Sequence, residues 1–123
     1  VNTVTIKEFV TIKIVYDVYD DSIENPVLGI AVFGIDDAYI CGLNTLLDKK
    51  NIPWKYGRNE FYMDYYEGVS MLGGKYYFKA GIFDQTACVP FDFNQKINEF
   101  TVSDDYLAEG IFIIPHKWRG KDE

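Results

Sequence analysis

The feature that most constrains this chain is an apolar–polar alternation with a period of two. From Thr11 to Tyr19 one face carries Ile12, Ile14, Tyr16 and Val18, and the other Thr11, Lys13, Val15, Asp17 and Tyr19. Successive side chains of an extended strand point to opposite sides, so the segment reads as a half-buried strand. Asp20-Asp21-Ser22 breaks it, and Asn25-Pro26 starts the next, because the residue before proline is driven extended. Val27 to Ile35 is nearly all apolar, as expected of a central strand covered on both faces. Asp36-Asp37 then makes a short turn into Tyr39 to Leu43, a hairpin.

The same reading continues to the C-terminus. A polar stretch with Asn51, Pro53, Gly57 and Asn59 reads as the longest loop. Phe61, Met63 and Tyr65 alternate with Tyr62, Asp64 and Tyr66, and Gly73-Gly74 turns the chain into Lys75 to Asp84. There Tyr76, Phe78, Ala80 and Ile82 share one face. Asn98 to Val102 and Gly110 to Pro115 complete the set. A helical period fails beyond one turn at Thr45 to Lys50. Strands at intervals of roughly 10 to 20 residues with turn residues between them argue for an all-β sandwich or barrel. Met71, Gly74 and Tyr76 match the spacing of a tyrosine corner, which pins a crossover between two sheets; the alternative is a plain glycine turn before a core tyrosine. No repeat, linker or low-complexity tract divides the 123 residues, so a single domain spanning 1–123 is expected.

Charge narrows the partners. Twelve basic against nineteen acidic residues give a net charge of −7, a field that repels nucleic acid and anionic membrane surfaces. A neutral or weakly charged ligand, or another protein, fits better. Aromatic residues make up 17% of the chain, with 10 Tyr, 9 Phe and 2 Trp, more than one core of this size takes up. Cys41 and Cys88 permit one disulfide at most; their apolar surroundings predict buried free thiols. No apolar run approaches the length of a membrane span. Val1 stands in mid-pattern, which suggests a domain cut from a longer chain.

Catalytic groups are hard to assemble from this inventory. His116 is the one histidine, near a polar tail, and is expected to be exposed. Cys41, Cys88 and His116 lie too far apart in sequence for a zinc-site spacing. Asp20-Asp21, Asp36-Asp37 and Asp104-Asp105 read as solvated turn acids rather than a calcium loop or a glycosidase pair. No enzyme activity, metal or cofactor is expected.

Several segments taken together resemble one known family. Val27-Leu28-Gly29-Ile30-Ala31-Val32-Phe33, the acidic turn Asp36-Asp37 and Cys41-Gly42-Leu43-Asn44-Thr45 are similar to the C-terminal domain of Wzt-type ABC-transporter subunits. Those are ATP-binding subunits of exporters for O-antigen and related cell-surface polysaccharides. Met71 to Phe78 looks like that family's leucine–glycine–tyrosine crossover, and Gly110 to Trp118 like its closing strand with proline and tryptophan. The chain departs from the pattern at its start, where the first strand is short, and it carries no Walker motif. The resemblance implies an immunoglobulin-like antiparallel β-sandwich of about seven to eight strands. It also implies recognition of the exported polysaccharide at the cytoplasmic face of the membrane, beside an N-terminal ATPase domain and the transporter's membrane subunit. A homodimer that exchanges its terminal strand is implied too, though the residues themselves do not show it.

A sugar has polar edges and apolar C–H faces, so its site needs flat rings together with amide, carboxylate or ammonium groups. Two places fit. Phe33, Tyr77, Lys79 and Phe83 are expected on the outward face of the central strands, over a low floor of Gly29, Ala31 and Gly81. The alternative is that this face packs on a partner. The second place is the loop with Trp54, Tyr56, Arg58 and Asn59, flanked by Tyr62, Asp64 and Tyr66; the alternative there is that Trp54 plugs the core. Trp118 is expected to cover the end of the core or a swapped partner. Asn44 and Thr45 are expected to cap the turn through their side chains. A polysaccharide-recognition module leads over a structural or dimerisation sandwich, with a small hydrolase third.

Overall fold

The structure, a computed structural model, describes residues 3–93, 98–103 and 109–122. Eight strands follow in order: β1 (Thr3–Thr5), β2 (Val10–Val18), β3 (Val27–Gly34), β4 (Tyr39–Asn44), β5 (Gly57–Tyr65), β6 (Gly74–Phe83), β7 (Pro90–Phe93) and β8 (Asn98–Ser103). Among the described residues there is no helix. Six strands form one sheet in the order β1-β8-β6-β3-β4, with β7 also paired to β6; β2 and β5 form the second sheet. β6 meets β8 along its first half and β7 along its second. The expected all-β sandwich is what the chain adopts. One pairing departs from the antiparallel expectation: β1 runs parallel to β8, Thr3 against Thr101.

The alternation sorts the side chains between core and surface. Leu28, Ile30 and Val32 of β3 are buried, and so are Tyr16 and Val18 of β2. One cluster joins Val4, Val32, Met71, Tyr76, Phe100 and Val102, with Tyr65 of the facing sheet against it. At its centre Phe78 stacks on Phe100 with centroids 4.4 Å apart, Tyr76 stacks on the same Phe100, and Tyr65 reaches across the sandwich to Phe78. A second cluster joins Tyr16, Val18, Leu28 and Ile52 at the other end. Rings stacked face to face fill the space between sheets with little side-chain entropy lost.

The crossover is a tyrosine corner. The Tyr76 hydroxyl donates to the Leu72 carbonyl at 2.7 Å, inside the core. The Leu72 N–H in turn donates to Ile111, and Ile113 donates to Ser70, so the segment after residue 109 lies along this corner. The strand expected over Gly110 to Pro115 is therefore cut to one bridge, Met71 with Phe112. β7 was not expected: Pro90-Phe91-Asp92-Phe93 has no alternating apolar stripe, and all four residues are exposed. Its pairing comes from an edge of β6 that β8 leaves open.

Other expectations need correction. β3 is fully covered on one face, since Gly29, Ala31 and Phe33 are half-buried. Cys41 and Cys88 are free thiols as expected, but both are exposed. Cys41 sits on edge strand β4 beyond a bulge, and Cys88 sits in the turn that the Asp84 carboxylate organises by accepting the N–H groups of Thr86, Cys88 and Val89. Asp104-Asp105 lies outside the described residues. Trp118 is 90% exposed and, among the described residues, meets His116 edge-on rather than the core.

Tyr76→Phe removes the corner bond and strands a buried carbonyl, and should cost about 1–2 kcal/mol. Phe100→Ala empties the centre of the stack and should cost about 3–5 kcal/mol. Denaturant unfolding should show both as midpoint shifts at constant slope; a shift for Phe100→Ala no larger than for Tyr76→Phe would contradict the central place of the stack.

Candidate functional site

The outer face of the six-stranded sheet follows from its register. One row across the strands reads Glu99, Tyr77, Phe33, Tyr39. The next reads Lys79, Ala31, Gly42, and the third Phe93, Gly81, Gly29, Asn44. An aromatic row on one side and Phe93 on the other thus flank a row of small residues with one lysine. A groove of about 470 Å³ runs over this face, with Phe33 and Tyr39 at one end and Phe83 and Phe93 at the other. Lys79, Asn44 and the Tyr39 hydroxyl are its polar lining, and among the described residues that line it none is acidic.

The first row is rigid. Phe33 lies parallel to Tyr77 with centroids 5.2 Å apart, and Tyr39 meets Phe33 edge-on at 5.1 Å. Tyr77 donates its hydroxyl to Asp37 at 2.5 Å. Asp37 holds a left-handed backbone (φ 67°) in the β3–β4 turn, which short polar side chains tolerate. That hydrogen bond to a carboxylate, together with burial, pushes the Tyr77 phenol up to about 12. Lys79 places its ammonium 5.0 Å from the Phe33 ring centre and 5.8 Å from that of Tyr77, within cation–π range. Among the described residues it has no carboxylate partner.

Tyr77 shares this face as expected, yet at 3% exposure it is a support under Phe33 rather than a contact surface. Phe33 is half-buried, Lys79 is exposed, and Phe83 is half-buried beneath Phe93. The low glycine floor is occupied by the protein's own rings. A Cβ on Gly81 would lie 3.0 Å from Phe93 and 3.1 Å from Phe83, and one on Gly29 would lie 3.3 Å from Phe83. Tyr39 and Phe93, missed in the sequence, present the most open rings of the groove. The only signal for them was register: Tyr39 lies opposite Phe33 only because a bulge skips Ile40.

Asn44 and Thr45 cap as expected. Asn44 Oδ1 accepts from the Leu47 N–H and Thr45 Oγ1 from the Leu28 N–H. Asn44 also lines the groove, and its amide nitrogen has no partner among the described residues.

The Trp54 loop is built differently. Ile52, not Trp54, plugs the core, and the Tyr16 hydroxyl donates to the Pro53 carbonyl at 2.5 Å. Burial pushes the Tyr16 phenol up to about 12. Asn59 is withdrawn from the surface at 2% exposure: its position on β5 faces inward, and its amide donates to the Lys55 and Gly57 carbonyls. Its role is to shape the loop. Tyr56 meets Tyr19 edge-on at 6.2 Å, and both are exposed, as are Trp54, Tyr62 and Tyr66. Arg58 is paired with Glu60, which also takes Lys13 and the Tyr62 hydroxyl. The Tyr62 bond, then Lys13, holds the Glu60 carboxyl below its usual range. Lys13, Arg58, Glu60 and Tyr62 thus bond to one another, whereas the buried Asn59 Oδ1 has no partner among the described residues. The structure therefore separates the two expected places, one on each sheet.

Among the described residues, no three His, Cys, Asp or Glu side chains come together as a metal site, and His116 is exposed. No helix among them is long and apolar enough to cross a membrane.

What this defines is a two-sheet β-sandwich with an aromatic groove on its larger sheet. The family model of the Wzt C-terminal domain matches residues 1–114, and the chain belongs to that family. Among solved structures it is similar to one described as the crystal structure of the C-terminal domain of Wzt. The TM-score is 0.78 at 21% identity, over 96% of this chain and 73% of that one. No curated protein matches it. Family membership implies a part in an O-antigen ABC-transporter system.

The Tyr16, Tyr65 and Tyr77 phenols all stand near 12 in the folded protein, against about 10 in an unfolded chain. Unfolding at pH between these values releases protons, so their stabilisation holds below pH 10 and is lost as pH rises towards 12. Absorbance titration should show a late-ionising group of tyrosines, accompanied by loss of structure. Tyr77→Phe should remove one late-titrating phenol; an unchanged titration would contradict the Asp37 contact.

Proposed function

We propose that this chain is a non-catalytic module that recognises the polysaccharide carried by an O-antigen-type exporter, through the groove on its six-stranded sheet. The observation that carries the reading is the lining: open Tyr39 and Phe93 rings at opposite ends, with the Lys79 ammonium, which no carboxylate of the described residues pairs, and the Asn44 amide between and beside them. Rings meet the C–H faces of a sugar, while ammonium and amide donors meet its hydroxyls. The Trp54 loop is the weaker candidate, because Arg58, Glu60, Lys13 and Tyr62 already bond to one another. In this reading the module sits at the cytoplasmic face of the membrane, joined to an ATP-binding half that works with the transporter's membrane subunit. It holds the glycan while that half drives export.

A second copy of the chain is the other partner in this proposal. Exposed Phe112, Ile114 and Trp118 favour it, as apolar side chains that the described residues leave half or more open. If the sandwich instead serves dimerisation alone, it will form dimers and bind no glycan.

Calorimetric or NMR titration of the chain with the polysaccharide exported by its own cell tests the reading. Binding is expected to be weak, since an open groove encloses little of its ligand. Tyr39→Ala and Phe93→Ala should each lower affinity about five- to tenfold, the worth of one lost ring contact, whereas Trp54→Ala should leave it unchanged. The reverse pattern moves the site to the loop; no binding at all leaves the dimerisation reading.

A further inference from the structure

The open rings at the two ends of the groove are set apart by the sheet itself. Tyr39 lies in the row of Phe33, and Phe93 in the row of Gly29, four residues along β3. At the rise of an extended strand their rows are about 13 Å apart along the strands. The three strand spacings from β4 across β3 and β6 to β7 add about 14 Å sideways, together longer than one pyranose ring even with the Tyr39 ring leaning over Gly42. Between them lie Ala31, which raises only a methyl above the backbone, and the Lys79 ammonium, while the Tyr39 ring itself covers Gly42. A single sugar stacked at one end therefore leaves the other empty.

Each ring is held in place by a glycine beneath it. At Gly42 a Cβ would fall 1.9 Å from the Tyr39 hydroxyl oxygen and 3.0 Å from the carbon that bears it. The Tyr39 side chain thus lies along β4 in space that any other residue at 42 would fill. The collision would be with the far end of a rotatable side chain, so a methyl there moves the ring and not the strand. At the other end Phe93 lies against Gly81, with Phe83 edge-on at 5.4 Å.

We propose that the groove holds a stretch of two or more linked sugars, one stacked on Tyr39 and another on Phe93, and that Gly42 is the positioning residue that lays Tyr39 down. This rests on the polysaccharide-recognition reading and adds a length requirement to it. The Lys79 ammonium meets hydroxyls of the stretch that bridges the two rings. Single sugars are bound at one ring only and are released.

The test is calorimetry of the whole chain with oligosaccharides cut from the exported glycan, from monosaccharide to tetrasaccharide. Affinity should rise about tenfold or more between the monosaccharide and the trisaccharide, as the second ring contact is made. Tyr39→Ala and Gly42→Ala should each abolish the rise. The unfolding midpoint of Gly42→Ala should stay near that of the parent, and its Tyr39 ring resonances should move as the ring leaves Phe33. The double variant Gly42→Ala/Tyr39→Phe lacks the colliding hydroxyl and should recover the rise. Equal affinity for monosaccharide and trisaccharide overturns the two-ring proposal and leaves polysaccharide recognition standing. A length dependence that survives Gly42→Ala, or that the double variant fails to recover, overturns the role of Gly42. If no oligosaccharide and no intact glycan binds, recognition fails with the proposal.

Discussion

The stack of Tyr76, Phe100, Phe78 and Tyr65 is the interaction on which the architecture depends. Three of the rings belong to neighbouring strands of the large sheet and the fourth to the small one. The small sheet has just two strands, and such a pair is marginal unless something covers its apolar face. Stacked rings provide that cover over a wide area with few rotatable bonds to immobilise. The same Tyr76 closes the corner through its hydroxyl, so a single side chain serves both packing and chain direction.

The outer face repeats this arrangement with a different outcome. Tyr77, next in sequence, lies under Phe33 and is tied to Asp37, where it forms a rigid base. Consecutive tyrosines thus anchor opposite faces of β6. The rings left open for a partner, Tyr39 and Phe93, rest on this base or on glycine. Preorganised rings lose little freedom on binding, which would favour affinity in the proposed groove.

How far the sequence foretold this depends on the kind of information each residue carries. The inward set Leu28, Ile30, Val32 and the outward set Gly29, Ala31, Phe33 follow from alternation alone, and the corner from three residues at fixed spacing. Tyr77 was placed on the right face, but its burial depends on Asp37, forty residues away, and so on a contact no local pattern encodes. Asn59 was misread because a polar residue beside a loop resembles a surface group; the parity of β5 turns it inward, where it bonds to the loop backbone. Tyr39 joins the groove through a bulge, and Phe93 through a strand with no alternation, and neither leaves a mark in the periodicity.

The parallel pairing of β1 with β8 bears on how the molecule comes into being. Thr3 to Thr5 can dock only once Thr101 to Ser103 have been made, so β1 must wait, unpaired, until β8 has followed it. Contacts between such distant segments form late, because a long loop must be closed before they return any energy. Val4 meanwhile belongs to the larger core cluster. On a ribosome, the leading end of this sandwich would therefore be sealed last, and a chain interrupted before β8 would carry an unfinished core and an open sheet edge, both prone to sticking to neighbours.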